Sequence, residues 1–594
     1  MNLLFSWQLA GRNCALRSTV SGFINSTGMK RSSQAFFLTL VIAAWACASC
    51  DQEDKAPSAE MIRSINLKRG EVVACGLQAK QLGSVAFVNS CPGDVRKDFD
   101  LAIALLHSFE YDEAEKVFAK VIDKDPKCAM AYWGVAMSNY HLLWTPPNAA
   151  ELQKGSKAIE IAQQLGYNKT QQEAEYIDAA AQLYHDWEKL DHKTRCLNYE
   201  KAMEKIHVKY PRDKEAAALY ALALNASADP TDTTYKHQRK AGAILDVLYP
   251  NELNHPGIIH YIIHTYDNPD LAEVALPAAR RYASVAPSSA HALHMPSHIF
   301  IRTGIWDEAI HSNLASVSSA KCYAEQTGIK GHWDEELHGL DYLMYAYLQV
   351  GDNIRAKEQW DYLKTIDFVS PVNFKVAYAF AAMPSRYFLE NKLWDHAASL
   401  VVSPANFNWK DYPWQEAIIH FARALGAVHQ GKIDEARNEL KILNSLRDTL
   451  KNQKDVYKAS QVQIQIYASE AWILAKEGKY QDAISQMTVA ADIEDKTQKH
   501  PVTPCEVLPA RELLGDMLLE MNHYDKALAA YETDLKKHPN RFNGLFGAGM
   551  AAEKFKNHGK AKAYYQQLIK ISDSTRSSRP ELQQAKTYLR SQKV

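Results

Sequence analysis

Histidine is the residue type whose placement in this chain could do chemistry. Of 22 histidines, six fall between residues 255 and 298, in HPGIIHYIIHTYD and SSAHALHMPSHIF. His260 and His264 are four apart, as are His294 and His298. On a helix that spacing puts both side chains on one face, with Cβ atoms about 5–6 Å apart. Neutral imidazole is a ligand for zinc, copper and iron. Two such pairs on helices packed about 8–10 Å apart could close on one ion. His260, His264, His294 and His298 are therefore the candidate metal ligands, with a zinc, copper or iron ion as the implied cofactor. His255 and His291 lie near helix starts, and His338 and Asp341 begin a later helix, so these four are accessory candidates. Asp267 follows His264 closely enough to orient a ligand ring through its other nitrogen. Two plainer readings stay open for the same residues: hydrogen bonds between helices, and the lining of a groove that holds a peptide.

Other chemistries leave no trace. The chain has no HExxH, no GxGxxG, no GxxxxGK[ST] and no GxSxG, so zinc-protease, nucleotide and serine-hydrolase signatures are missing. No catalytic residue is assigned, and the expectation leans away from an enzyme. Lys+Arg 68 against Asp+Glu 69 gives a net charge of −1, without the basic surplus that nucleic acid would ask for. Glu506, Glu512 and Asp516 make an acidic stripe that reads as a solvated face.

The elements that must position the histidines are helices in a repeat. The second histidine pair follows the first by 34 residues. The stretch DFDLAIALLHSFEYDEAEKVFAKVIDKDP holds one helix with Leu101, Ala102 and Leu105 inward, a turn at Tyr111-Asp112, and a second helix packing back through Ala114, Phe118 and Val121. Later units are marked by Gly304 then Ala309, Gly351 then Ala356, Gly431 then Ala436, and Gly478 then Ala483. The last two units carry Leu514-Gly515, Ala527 and Tyr531, then Gly549, Ala561 and Tyr565. A period of this length with these landmarks resembles the tetratricopeptide repeat family. The phrases LGSVAFVNSC, LLHSFEYDEAEKVF, CAMAYWGVAMS, HPGIIHYIIH, HALHMPSHIF and LPARELLGDMLLE look like an exported bacterial subfamily of it, largely of unassigned function. The resemblance implies an all-α, right-handed superhelical solenoid of helix-turn-helix repeats with a small N-terminal cap. It also implies a concave groove that binds a protein or peptide, and it carries no agreed catalytic residues.

One internal copy separates frame from site. His294-Met295-Pro296-Ser297-His298 recurs 88 residues later as Ala382-Met383-Pro384-Ser385-Arg386. The Met-Pro-Ser core is kept and both histidines are gone. Proline inside a helix removes a backbone hydrogen bond and costs about 3 kcal/mol, so each helix either kinks or starts late.

The N-terminal part reads as a targeting segment. Met29-Lys30-Arg31 precedes an apolar run, Ala35 to Trp45, too short for a usual membrane span, and small residues lead to Cys50. Met29 is the expected start, and Cys50 the lipidation candidate of an exported lipoprotein. Its place would be the outer membrane or cell surface, with a soluble periplasmic protein as the alternative. Export permits disulfides, and Cys75 and Cys91 are the expected pair. The domain reading is a signal over 1–50, a tether over 51–70 and a cap over 71–94. Repeats follow over 95–250, then histidine-rich repeats over 251–400 and further repeats over 401–575, with a tail over 576–594. The first functional expectation is an exported scaffold that binds a protein or peptide in its groove, touching the membrane only through a lipid anchor. The alternative is a metal-binding protein or metal-dependent enzyme centred on residues 255–298.

Overall fold

A computed structural model describes residues 56–76, 81–143, 146–165, 169–573, 575 and 577–592. The expected signal, Met29, Cys50 and the start of the tether lie outside the described residues. From Arg96 onward the chain is a succession of α-helices, each packed chiefly against the next. The all-α repeat architecture expected from the sequence is what the structure shows. Among the described residues the β structure is one two-residue parallel pairing, His332–Trp333 with Val369–Ser370. No described helix is long and apolar enough to cross a membrane.

Local chemistry explains the repeat. Helix Tyr111–Lys124 buries Ala114, Val117, Phe118, Val121 and Ile122 on one face. It crosses Ala129–Ser138 at Gly134, where a Cβ would stand 2.3 Å from the Phe118 ring. A glycine at that crossing is what lets the two helices approach. The turn inside each unit places one left-handed residue midway between the helices. Gly304 (φ 65°), Gly351 (73°), Gly431 (73°) and Gly478 (79°) take it freely. Phe109, Lys392, Asn522 and Lys556 hold the same place at φ 57°, 53°, 63° and 62°, at a cost of roughly 1–2 kcal/mol each.

The solenoid turns tightly enough to fill its own middle. The segment between helices Tyr480–Asp495 and Ala510–Glu520 lies along the first helices of the central repeats. Gln498 donates to the Asp232 carbonyl (2.9 Å), and Lys499 pairs with Asp267 (2.8 Å). Tyr342 and Tyr378 donate to the carbonyls of Val502 (3.2 Å) and Cys505 (3.1 Å). Beyond it, Arg541 ties the C-terminal repeats back through Glu390 (2.8 Å) and Glu512 (2.9 Å).

The cysteine pairing differs from the expected Cys75–Cys91. Cys75 is bonded to Cys322 and Cys91 to Cys128, with Cα separations of 5.9 and 5.1 Å. The described residues between Cys75 and Cys91 each meet a different part of the array. Ser84 donates to the Asn254 carbonyl (2.9 Å), Gln81 to Ser288 Oγ (3.0 Å), and Phe87 inserts among Phe99, Trp133 and Tyr176. A strap laid across several repeats puts each cysteine beside a different helix.

Candidate metal centre

Three consecutive first helices supply the histidines. Pro256–Tyr266 begins with Pro256 at its first position and is capped by His255, whose Nδ1 accepts from the Ile258 amide (3.2 Å). It carries His260 and His264. The next is broken by Pro296 into Ala290–His294 and Pro296–Arg302. Met295 between them stays in the right-handed helical region (φ −52°, ψ −36°), so His294 and His298 keep their shared face across the break. Asp334–Gln349 follows and carries His338 and, one turn on, Tyr342.

The four expected ligands are brought together, but as halves of two sets. His260 and His264 join His291; His294 and His298 join His338. Within each set the ligand nitrogens lie within 4.8 Å of one another. The sets adjoin: the rings of His264 and His298 are 6.2 Å apart, and those of His291 and His294 6.4 Å. Burial pushes His260 down to about 3 and carries His264, His291, His294 and His338 well below the ordinary imidazole value. His298 is lowered too, because burial outweighs its bond to Asp267. All six are therefore neutral near pH 7, the form that binds metals.

Hydrogen-bond partners fix two of the tautomers. His298 Nδ1 lies 2.9 Å from Asp267 Oδ2. Burial favours a neutral Asp267, but Lys499 and Arg302 overcome it and hold the carboxyl far below its usual range. The carboxylate accepts only, so Nδ1 carries the proton. His294 Nδ1 lies 2.7 Å from Asn313 Oδ1, while the Asn313 amide donates to the Ala309 carbonyl (2.8 Å). That orients the amide and puts the proton on His294 Nδ1. Both Nε2 atoms are then acceptors; the Tyr342 hydroxyl lies 3.3 Å from His298 Nε2 but gives its single proton to the Val502 carbonyl (3.2 Å), and the two lone pairs face each other at 3.1 Å. Two neutral acceptors repel at that distance unless a cation lies between them. Burial disfavours a proton there, whereas a tetrahedral ion with bonds of about 2.0–2.1 Å sets its ligands about 3.3–3.4 Å apart. In the other set His260 Nδ1 is held by the His107 carbonyl (2.6 Å), and Nε2 lies 3.1 Å from His291 Nε2.

Two further clusters show what a satisfied set looks like. His255 Nε2 and His107 Nε2 each donate to Glu215 (2.9 Å), and Tyr261 donates to His107 Nδ1 (2.8 Å). Every proton and lone pair there has a use, so this is a packing device, and His255 belongs to it and not to the metal sets. At His538, burial opposes the charge, but Cys505 and Asp534 raise it well above its ordinary value. The imidazolium sits between Asp534 (2.8 Å) and Glu506 (3.1 Å), and the Cys505 thiol donates to Glu506.

Of the other accessory candidates, His291 and His338 complete the sets, and Asp267 orients His298. Asp341 instead pairs with Arg386, the residue that replaces the second histidine in the internal copy. Sequence reasoning missed His107, Asn313, Arg302 and Lys499. His107 carried one signal, an isolated histidine ending an apolar helix; Lys499 is 232 residues from Asp267 and carried none.

Two stretches, residues 99–159 and 513–574, match the tetratricopeptide repeat. No curated protein matches the sequence. Among solved structures, the chain is similar to an IFIT1 monomeric mutant with Gppp-AAAA (12% identity, 86% of this chain, 100% of that one, TM-score 0.35). It is also similar to a chain of the Cut9-Hcn1 hetero-tetramer of APC/C (12%, 83% and 96%, 0.25) and to the TPR domain of P58(IPK) (14%, 84% and 99%, 0.19). The chain thus carries tetratricopeptide repeats near both ends of an all-helical repeat array.

Proposed function

We propose that this protein binds a first-row transition ion through His294, His298 and His338. The observation that carries the reading is the 3.1 Å approach of two Nε2 atoms whose rings both hold their proton on Nδ1. The residues fit such an ion in three ways: neutral ligands, a fixed orientation from Asp267 and Asn313, and burial from water. Elemental analysis of protein purified without a histidine tag tests it. Metal in stoichiometric amount, with the equivalent held by this set lost in His298→Ala, is the expected result; its absence from freshly purified protein ends the reading.

A scaffold for a protein partner is the second reading, favoured by the matched repeats. Concave faces of such arrays are binding surfaces. In the central repeats Gln498 to Cys505 takes the position a peptide would occupy, so a partner is expected at residues 99–159 and 513–574. Photocrosslinkers placed there that capture nothing in cells would remove it. We further place the protein in the cell envelope, anchored by lipid at Cys50. The two disulfides support export, since such bonds persist in oxidising compartments. Cys50→Ser should move the protein out of the membrane fraction.

A further inference from the structure

We propose that a second ion binds at His260, His264 and His291, making the six imidazoles one two-metal centre, and that its ions are copper(I). The inference rests on the reading of His294, His298 and His338 as a metal site and extends it.

The first support is an orphan. His264 Nε2 is buried and has no hydrogen-bond partner. An unmet buried polar atom costs about 1–3 kcal/mol. The ring lies against His260 (centroids 4.7 Å) and Phe109 (5.6 Å). An ion shared with His260 and His291 would satisfy it. Phe109 faces all three of these rings, at 4.4 Å from His260 and 5.6 Å from His291.

The second support is charge. All six ligands are neutral. The carboxylate that touches a ligand ring, Asp267, already faces two cations, Arg302 (2.9 Å) and Lys499 (2.8 Å). Glu110, beside His291, accepts from Ser289 Oγ (2.6 Å) and does not bond a ligand ring. Two divalent ions would bring four buried charges, while the carboxylate bonded to a ligand ring among the described residues is Asp267, already paired with two cations, and uncompensated buried charge is expensive. Two monovalent ions halve that load. Among first-row metals that imidazole binds, copper has the stable monovalent state.

The test is an anaerobic titration of metal-stripped, tag-free protein with copper(I) against a competing chelator. Two equivalents per chain are expected, with an X-ray absorption edge showing nitrogen ligands only. His264→Gln should keep one equivalent, and so should His338→Gln. Each variant's retained equivalent also reports that it is folded. A wild-type value of one equivalent would overturn the second site and leave the His294 site standing. No uptake of copper(I) or zinc(II) would overturn both. Uptake of two zinc(II) with no copper(I) would overturn the assignment of the ion.

Discussion

Asp267 joins the histidine centre to two buried cations. Its two oxygens meet His298, Arg302 and Lys499 at 2.9, 2.9 and 2.8 Å. Asp267→Asn keeps an oxygen for His298 but removes the charge that fixes its tautomer. Partners of this kind are worth about 10–100-fold in metal affinity, and a loss in that range is expected on chelator competition. The histidines also set a pH dependence. All six are lowered in the folded chain, so below the unfolded value of 6.5 the unfolded state binds more protons. Their stabilising contribution is complete above that value and is lost as pH falls. The slope is about 1.4 kcal/mol per pH unit for each histidine. Denaturant unfolding of metal-free protein at pH 7.5 and 5.5 should show a clear loss of stability at the lower pH. Bound metal adds to the same trend, because protons compete for the ligand nitrogens.

Helices fix where these residues meet, and their legibility in the sequence was uneven. The spacing of four within each pair and of 34 between pairs was enough to put His260, His264, His294 and His298 on one stripe. The proline break was legible too. Its effect was not, because the copy at Pro384 runs on as a single helix, Phe374–Glu390, while the histidine unit breaks at Met295. That the pairs divide into two threes could not be read from spacing, since it depends on which rings two adjacent helices bring nearest. Glycine contacts offer a test at this scale. A Cβ on Gly257 would stand 2.4 Å from His107 Nδ1. That ring is pinned by Glu215 and Tyr261, and its own carbonyl holds His260. Gly257→Ala should cost roughly 1–3 kcal/mol by overpacking. It should also weaken metal binding, although residue 257 is no ligand. Calorimetric melting and a metal titration on the same sample would show whether the two losses travel together.

At the scale of the whole described unit, the repeat array is closed on itself, and no sequence period announces that. The bonds that close it join residues more than a hundred positions apart: Lys499 to Asp267, Tyr342 to Val502, Arg541 to Glu390. The strap from Cys75 is the same kind of feature, and so the expected Cys75–Cys91 pair gave way to Cys75–Cys322. Arg541 is the most exposed weakness of this closure, though it is itself wholly buried. It is the shared cation of Glu390 and Glu512 and also meets Tyr345 (3.3 Å). Arg541→Ala strands two buried carboxylates, which costs about 3–5 kcal/mol when one partner of a buried pair is removed. Because residues 498–505 run between the C-terminal repeats and the central ones, loosening the first should loosen the cover over Asp267, Tyr342 and His298. The expected outcome is faster release of bound metal to a chelator in Arg541→Ala, with the ligand set unchanged. Hydrogen exchange would localise the opening to residues 496–509. A variant that melts earlier yet releases metal at the wild-type rate would show that the segment does not control access to the histidines.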